Sequence, residues 1–388
     1  MIAAADMSAR LEPLLPVGRG ERGTARLAWS AEDAAAGDWF RAQAAGAGLR
    51  VERDPAGNLW AVPDSPPPWW ALGSHLDTVR EGGSFDGALG VAAAFEVAAR
   101  ADAPVAVVSF ADEEGARFNT PTFGSRALTG ALDPSVLERV DAGGVRLADA
   151  MRAAGVDPAG LGAAPEWLPR LRGFLELHID QTTELERAGA PAGVVRGLVT
   201  RARIRADVEG RADHAGTTPP GERRDALGAA ARLIVAALDA AGNGLVATAS
   251  RIEVEPNALT TVPARARVWL DARSPDAGRV EEWRRVVEEA EVGLPVELSL
   301  ESRSPGCEFD AGLRSRLVAL SEELDGRAPE LDCYAGHDAG LIAARLPAAM
   351  VLVRNETGVS HSPDEQVDLA DAAFGAELLL RLVEELAE

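Results

Sequence analysis

Apolar residues follow two different patterns along this chain. In the first half, short continuous apolar runs alternate with alanine-rich stretches at helical spacing. The apolar runs are LWAV at 59–62, WWALGSH at 69–75, VAVVSF at 105–110 and FLELHI at 174–179, and a helix-like stretch spans 88–101. Continuous apolar runs of this length are typical of strands that are buried on both faces. The alternation therefore predicts an α/β sheet.

Two further segments extend this pattern towards the ends of the chain. A surface helix is predicted from Ser30 to about Ala45, because Ser30 and Asp33 occupy the positions of a capping box, with Asp in the usual Glu position. Near the C-terminus, 311–324 is helix-like and AAMVLV at 348–353 is strand-like. Both ends are therefore expected to belong to one α/β domain.

The stretch 196–303 has a different character. Apolar and polar residues alternate with period two in VTRARIRADVEG, RARVWLDAR and VELSL, which indicates strands with one buried face. Helical segments at about 222–241 and 277–291 separate these strands. The resulting order β-α-β-β-α-β predicts a small ferredoxin-like α+β domain. We therefore predict a catalytic domain at 1–195 and 304–388, into which the domain at 196–303 is inserted.

Composition and charge narrow the class of partner. A chain of 388 residues that is 47% hydrophobic can bury a sizeable core. The formal charge of -22 would repel nucleic acid and anionic membranes, so a small-molecule substrate is expected. The N-terminus lacks a signal-peptide pattern and no apolar stretch reaches the ~18 residues of a spanning helix, so we expect a cytoplasmic protein. Cys307 and Cys333 form no CxxC pattern, which predicts two buried thiols.

Three of the five histidines lie at the ends of strand-like runs or beyond them, namely His75, His178 and His361. In an open α/β sheet, groups at the carboxyl ends of the strands converge on one site. A single histidine in such a place can be a purely structural residue. Three of them, with carboxylates in the same kind of position, favour a metal site. Imidazole and carboxylate ligands without thiolate suit zinc, manganese or cobalt.

Acidic residues occupy the matching positions. Asp86 lies in a glycine-rich turn that opens a helix, and its two oxygens could bridge two cations. Taken alone, an Asp-Gly pair is most often only a turn. Glu113 and Glu114 follow the run at 105–110, with Asp112 before them. One of these carboxylates could bind a metal ion while its neighbour accepts a proton from water.

Three more residues are candidates for supporting roles. Asp77 lies two residues after His75 and could accept a hydrogen bond from the second ring nitrogen of that histidine, which would fix its tautomer. His214, in DHAGTTPP of the predicted insertion, could donate a hydrogen bond to a developing oxyanion if the insertion closes over the site. A capped turn is the alternative for His214. His337, in AGHDAG, likewise follows no strand-like run.

The ordered motifs resemble those of a known enzyme superfamily. From about residue 15 to the C-terminus, the chain is similar to the M20 metallopeptidase-like superfamily, and within it to the branch of allantoate amidohydrolases and N-carbamoyl-L-amino-acid hydrolases. The motifs are GSHLDTV, GGSFDGALGV, DEEGARF, ELHIDQ, DHAGTTP, VEPNALTTVP, AGHDAG and GVSHSP. The resemblance implies a zinc-aminopeptidase-like catalytic domain with an inserted dimerisation or lid domain, usually in a homodimer.

The resemblance also implies the metal ligands, residue by residue. Asp86 matches a ligand that bridges two divalent metal ions. His75 and His178 match the ligands of one ion, and Glu114 and His361 match those of the other. Zinc, manganese and cobalt are the metals expected in this arrangement.

Further matches surround these ligands. Glu113 matches the catalytic base, and Asp77 matches the residue that orients His75. His337 matches a position beside the substrate pocket. Four more positions match groups that hold the substrate or stabilise the transition state, and among them the last is suited to clamp a substrate carboxylate: Gln181, His214, Asn257 and Arg273.

The implied function is hydrolysis of the ureido (carbamoyl) C–N bond of allantoate or an N-carbamoyl-L-amino acid. Asp180 and Thr182 replace the Glu and Gly that more often follow the histidine in this superfamily, so the exact substrate stays open. A dipeptidase or N-acyl amino acid deacylase of the M20 type is the alternative enzyme. A metal-binding protein without catalysis is the alternative from another class.

Overall fold

The computed structural model describes residues 1–324 and 326–387, which divide into two compact units. The first unit comprises Met1–Gly197, Glu308–Leu331 and Ala335–Glu388. The second comprises Leu198–Cys307 and Asp332–Tyr334. The catalytic and lid roles assigned to the predicted domains stay predictions. No described helix is long and apolar enough to cross a membrane.

Strands and helices alternate along the chain. The strands are β1 (Arg19–Gly20), β2 (Gly23–Thr24), β3 (Arg50–Arg53), β4 (Leu59–Val62), β5 (Trp69–His75), β6 (Val105–Phe110), β7 (Leu171–Ile179), β8 (Ala192–Leu198), β9 (Thr200–Glu209), β10 (Asp213–His214), β11 (Val246–Glu255), β12 (Thr261–Val262), β13 (Arg265–Ser274), β14 (Val296–Ser304), β15 (Cys307–Glu308), β16 (Glu330–Cys333) and β17 (Ala348–Val353). The α-helices are α1 (Ala4–Leu11), α2 (Ala31–Gly46), α3 (Ala88–Arg100), α4 (Phe123–Thr129), α5 (Leu147–Ala153), α6 (Glu184–Ala188), α7 (Ala226–Asp239), α8 (Ala277–Glu289), α9 (Ala311–Glu323), α10 (Asp338–Ala343) and α11 (Leu369–Glu385). Short 3-10 helices span Pro134–Glu138, Pro158–Arg170 and Pro220–Glu222.

A large mixed sheet forms the centre of the first unit, in the order β15-β8-β17-β7-β5-β6-β4-β3. Its central strands β17, β7, β5 and β6 run parallel. The side chains of β6 and β17 are buried throughout, because helices such as α3 and α11 cover the sheet. The predicted α/β fold is therefore confirmed. The parallel strands all end at one edge of the sheet, where ligand-binding groups converge in this kind of fold.

The second unit has a four-stranded antiparallel sheet in the order β11-β13-β9-β14. Helices α7 and α8 pack on one face, and their core includes Ile204, Leu233, Val268 and Trp283. The four strands of this sheet and the two helices follow one another along the chain in the order β9-α7-β11-β13-α8-β14, which is β-α-β-β-α-β. Along β9, the residues that alternate with the buried apolar ones are half-buried and polar, so the opposite face of this sheet carries charged side chains.

Two local predictions differ from the structure. Cys307 is only partly buried, whereas Cys333 is buried, so the expectation of two buried thiols was wrong for Cys307, which lies in the two-residue strand β15. The capping box at α2 is incomplete. Ser30 Oγ accepts the N–H of Asp33, but the Asp33 carboxylate accepts from Trp29 N, because the N–H of Ser30 already donates to Leu27 O.

Candidate metal centre

Three imidazole and carboxylate groups meet at the end of β5 and β7. His75 is the last residue of β5, and His178 is the next to last of β7. Asp86 lies just before α3, and its Oδ1 is 3.3 Å from His75 Nε2 and 3.1 Å from His178 Nε2. All three side chains are buried, and their nearest ligand atoms lie within 4.8 Å of one another. This group could hold one metal ion.

A second group forms on the other oxygen of the same aspartate. His361 Nε2 lies 3.5 Å from Asp86 Oδ2 and 3.4 Å from Glu114 Oε1. These three residues also meet the distance requirement for a metal site. His361 is the most accessible of the predicted ligands, with 49% of its side chain exposed. The two groups therefore share Asp86, with one oxygen facing each.

The tautomers of the two buried histidines suit metal binding. His75 Nδ1 lies 3.0 Å from Asp77 O, and His178 Nδ1 lies 2.9 Å from Ile179 O. Because a carbonyl oxygen can only accept, each Nδ1 carries the proton in the neutral ring and Nε2 keeps its lone pair. Both Nε2 atoms point at Asp86, so the lone pairs face the place where an ion would bind.

The electrostatics of the site also fit cations. Burial raises the pKa of Glu113 well above its usual range, and the neighbouring Asp338 and Glu114 carboxyls raise it further against the opposing influence of His75. Burial and Asp86 raise the pKa of Glu114 to about 8. His178 Nε2 is buried without a hydrogen-bond partner among the described residues. Divalent cations at these positions would offset the cost of burying the carboxylates and would engage this nitrogen.

Asp77 does not orient His75 through its carboxylate. Its Oδ1 is 3.8 Å from His75 Nδ1, which hydrogen-bonds instead to the backbone carbonyl of Asp77. The two Asp77 oxygens accept the backbone N–H groups of Glu113 and Glu114, each at 3.1 Å. The prediction assumed that His75 and Asp77 share one face of a strand, but β5 ends at His75 and the chain then changes direction. The Asp77 carboxylate therefore fixes the Glu113–Glu114 segment.

Gln181 contacts the metal centre directly. Its Nε2 donates to Asp86 Oδ2 at 2.9 Å, and Ser360 Oγ donates to the same oxygen at 2.9 Å. Gln181 is a predicted substrate-binding residue, whereas Ser360 is not among the predicted site residues. That serine directly precedes His361, and this adjacency was the available signal.

His337 lies next to His178, a predicted ligand. The sequence did not indicate this contact, because His337 follows no strand-like run. Its ring centroid is 4.3 Å from that of His178, and it is buried. Glu176, His178 and His337 form a third group with metal-site distances. However, the oxygens of Glu176 already accept hydrogen bonds from Ser74 Oγ and the backbone N–H of Ala339. We therefore assign Glu176 and His337 to the surroundings of the site. Glu176 shares a strand face with His178, two residues away, and this spacing could have identified it.

Three predicted substrate-binding residues belong to the second unit. His214 is exposed, and its Nδ1 accepts the N–H groups of Gly216 and Thr217 at 3.0 and 3.1 Å. Asn257 is exposed in the loop after β11. Arg273 Nε donates to Asp271, and its Nη1 donates to Tyr334 O. The functional roles of these three residues stay predictions.

Comparison with known proteins adds an independent line of evidence. The sequence model of Peptidase family M20/M25/M40 matches residues 71–385. The chain belongs to this family. The predicted resemblance to the M20 superfamily is thereby confirmed, and the matched range includes every residue assigned above to the metal centre.

Individual M20 relatives cover nearly the whole chain. The chain is 36% identical to the N-carbamoyl-L-amino acid amidohydrolase of Geobacillus stearothermophilus, over 100% of both chains. It is 32% identical to the allantoate amidohydrolase of Escherichia coli K12, over 94% of this chain and 93% of the relative. Its fold matches a crystal structure of an amidase of the hydantoinase/carbamoylase family from Burkholderia multivorans. That match has a TM-score of 0.86 and 27% identity, and it covers 100% of this chain and 98% of the other.

The position of the Asp77 carboxylate leads to a testable prediction. Asp77→Ala removes two acceptors from the backbone of Glu113 and Glu114, so metal affinity and hydrolytic rate should each fall by roughly 10- to 100-fold. Asp77→Asn keeps one carbonyl oxygen as an acceptor and should lose less. Titration with a metal-indicator dye measures the affinity. Replacement of the exposed Asp102 by Ala is the control, and equal behaviour of Asp77→Ala and the control would contradict this role.

Proposed function

We propose that this protein is a two-metal amidohydrolase that cleaves the ureido C–N bond of allantoate or an N-carbamoyl-L-amino acid. The observation that carries this proposal is the arrangement around Asp86, whose two oxygens face two separate ligand groups while Glu113 lies beside them outside both groups. A purely structural metal site has no need for such an additional buried carboxylate. The names of the relatives support the ureido substrate class.

The ligand sets favour two divalent cations of the zinc, manganese or cobalt class. One would be held by His75 and His178, and the other by Glu114 and His361, with Asp86 between them. Imidazole and carboxylate ligands without thiolate match the preferences of these metals. What such cations supply when bound is Lewis acidity, which makes water a stronger nucleophile and polarises a carbonyl group.

Glu113 is the proposed general base. Its Oε2 lies 3.9 Å from His75 Nε2, and only 7% of the residue is exposed. A carboxylate there can take a proton from the attacking water and pass it to the leaving nitrogen of the ureido group. Burial raises the pKa of Glu113 above the usual range of a carboxyl, which makes its carboxylate a stronger proton acceptor. For an N-carbamoyl substrate, the products would be an amino acid, carbon dioxide and ammonia.

His214 is the proposed donor to the tetrahedral oxyanion. Its Nδ1 accepts two backbone N–H groups, so that nitrogen carries no proton. The neutral ring must therefore carry its proton on Nε2, which is then available to donate a hydrogen bond. A preoriented donor of this kind is what stabilisation of an oxyanion requires.

Arg273 is the proposed partner of the substrate carboxylate. In the sheet of the second unit, Arg273 on β13 is paired in register with Arg201 on β9. Like charges directly across a sheet are unfavourable. The next cross-strand pair on this face is Asp271 and Arg203, and Asp271 forms ion pairs with both Arg203 at 3.0 Å and Arg273 at 2.8 Å, so one carboxylate serves three arginines. A bound carboxylate would supply the missing negative charge at the Arg201–Arg273 pair.

Gln181 and Asn257 are proposed to complete substrate binding, with His337 beside the pocket.

The same proposal extends to the role of the second unit, the oligomeric state and the location of the enzyme. We infer that the second unit serves as the lid and dimerisation domain and that the protein is a cytoplasmic homodimer. A dipeptidase or deacylase of the same family is the competing enzyme assignment, because the family itself is defined by peptidases.

Replacement of the base tests the catalytic role of Glu113. Glu113→Gln keeps the size of the side chain but removes the proton acceptor, so kcat should fall by roughly 10²- to 10⁴-fold while both metal ions remain bound. Ammonia release and metal content are the two measurements. The exposed Glu166→Gln is the control. A Glu113→Gln enzyme with near-normal kcat would refute the assignment.

A substrate panel tests the reaction class. The metal-loaded enzyme should release ammonia from allantoate or from N-carbamoyl-L-amino acids, and it should leave dipeptides and N-acetyl amino acids intact. Each active compound should lose roughly 10- to 150-fold in kcat/KM when its carboxylate is replaced by an amide, because a charge-assisted hydrogen bond to Arg273 is lost. Faster cleavage of the dipeptides would favour the peptidase assignment.

A further inference from the structure

The loop after β17 contacts the metal centre at more than one point. This segment, Ser360–Glu365, carries His361 and returns on itself, because Glu365 N donates to Ser362 O at 3.2 Å. Its first and last residues both reach the turn that contains Asp86, which is separated from them by more than 270 residues of sequence. We call Ser360–Glu365 the His361 loop.

Glu365 binds the backbone of the turn before α3. Its Oε1 accepts the N–H of Phe85 at 2.7 Å and the N–H of Asp86 at 2.9 Å. Only 5% of the residue is exposed, so water competes little for these donors. A buried carboxylate that accepts two backbone N–H groups forms stronger hydrogen bonds than a neutral acceptor would. The backbone of Asp86 is therefore fixed directly at the residue whose side chain faces both ligand groups.

The turn is shaped to receive this carboxylate. A Cβ atom added to Gly83 would lie 2.4 Å from the Glu365 carboxyl carbon and from Oε1. Any side chain at Gly83 would therefore displace Glu365. This close approach shows that the turn and the glutamate are packed against each other as one unit.

Ser360 holds the same aspartate at its side chain. Its hydroxyl donates to Asp86 Oδ2 at 2.9 Å, on the oxygen that faces His361. The His361 loop thus fixes Asp86 at both ends, through the backbone by Glu365 and through the carboxylate by Ser360. In addition, it supplies a ligand of its own.

We propose that Glu365 is a positioning residue that makes the two metal sites interdependent. This inference rests on the proposed two-metal function. Because Asp86 contributes one oxygen to each ligand group, a shift of its backbone moves a ligand of both ions together. Loss of His361, by contrast, removes a ligand of only one ion. The two kinds of substitution should therefore have different effects on the binding of the two ions.

Metal titration of the full-length apoprotein separates these effects. With Zn²⁺ and a competing indicator dye, the wild-type protein should bind two ions. Glu365→Ala should weaken both binding steps, each by roughly 10- to 100-fold, as is typical when a group that orients a ligand is removed. His361→Ala should weaken one step strongly and leave the other close to the wild-type value.

Two further variants distinguish positioning from a general structural role. Glu365→Gln keeps the accepting carbonyl oxygen, and the atom it replaces, Oε2, has no hydrogen-bond partner among the described residues. It should therefore restore most of the affinity for both ions. Asp364→Ala removes an exposed carboxylate from the same loop and should bind metal as the wild type does. Urea unfolding of each apoprotein checks that the fold is retained.

The outcomes separate this inference from the proposed function. Wild-type affinity for both ions in Glu365→Ala would overturn the positioning role, and so would weakening of one ion alone. Failure of Glu365→Gln to restore binding would also contradict it, because the acceptor geometry is then not the cause. A wild-type protein that binds fewer than two ions would instead refute the two-metal function.

If Glu365→Ala is too unstable to purify, Gly83→Ala provides the same test from the other side. It displaces the Glu365 carboxylate without removing it, so it should also weaken both ions. Unchanged binding of both ions in that variant would contradict the inference.

Discussion

Several carboxyl groups are buried together at the edge of the large sheet where the parallel strands end, and this crowding governs the structure of the site. Buried carboxylates are costly unless hydrogen bonds or cations compensate them. In this protein, many of the compensating donors are backbone N–H groups. The Asp77 carboxylate accepts the N–H groups of Glu113 and Glu114. The Glu176 carboxylate accepts the N–H group of Ala339, and the Glu365 carboxylate accepts those of Phe85 and Asp86. These bonds satisfy the outer carboxylates and fix the backbone that carries the inner ones.

The inner groups are the proposed metal ligands. Although burial alone would raise the pKa of Asp86, the positive charge that His178 and His75 carry when protonated holds it well below its usual range. It is therefore ionised, and each of its oxygens faces a separate ligand group. Because both histidines direct Nδ1 to a backbone carbonyl, the surrounding backbone orients their Nε2 atoms towards Asp86. The fold thus prepares the ligands, and the proposed base Glu113 lies within the same pocket.

Much of this could be predicted from sequence because it depends on local pattern. The apolar runs predicted β4, β5, β6 and β17. The structure places the three predicted ligands His75, His178 and His361 around Asp86. What failed depended on the path of loops. The carboxylate of Asp77 accepts the backbone N–H groups of Glu113 and Glu114 rather than the ring of His75. His337 contacts His178 from a distant segment of the chain. Glu365 contacts Asp86 across 279 residues of sequence, and no local pattern encodes this contact.

The central claim is that Asp86 lies between two metal ions. Anomalous diffraction from crystals of the protein grown with Zn²⁺, recorded on both sides of the zinc absorption edge, tests it most directly. The account predicts two anomalous peaks, one next to His75 and His178 and the other next to Glu114 and His361, with an oxygen of Asp86 on each. A single peak, or peaks away from Asp86, would contradict it.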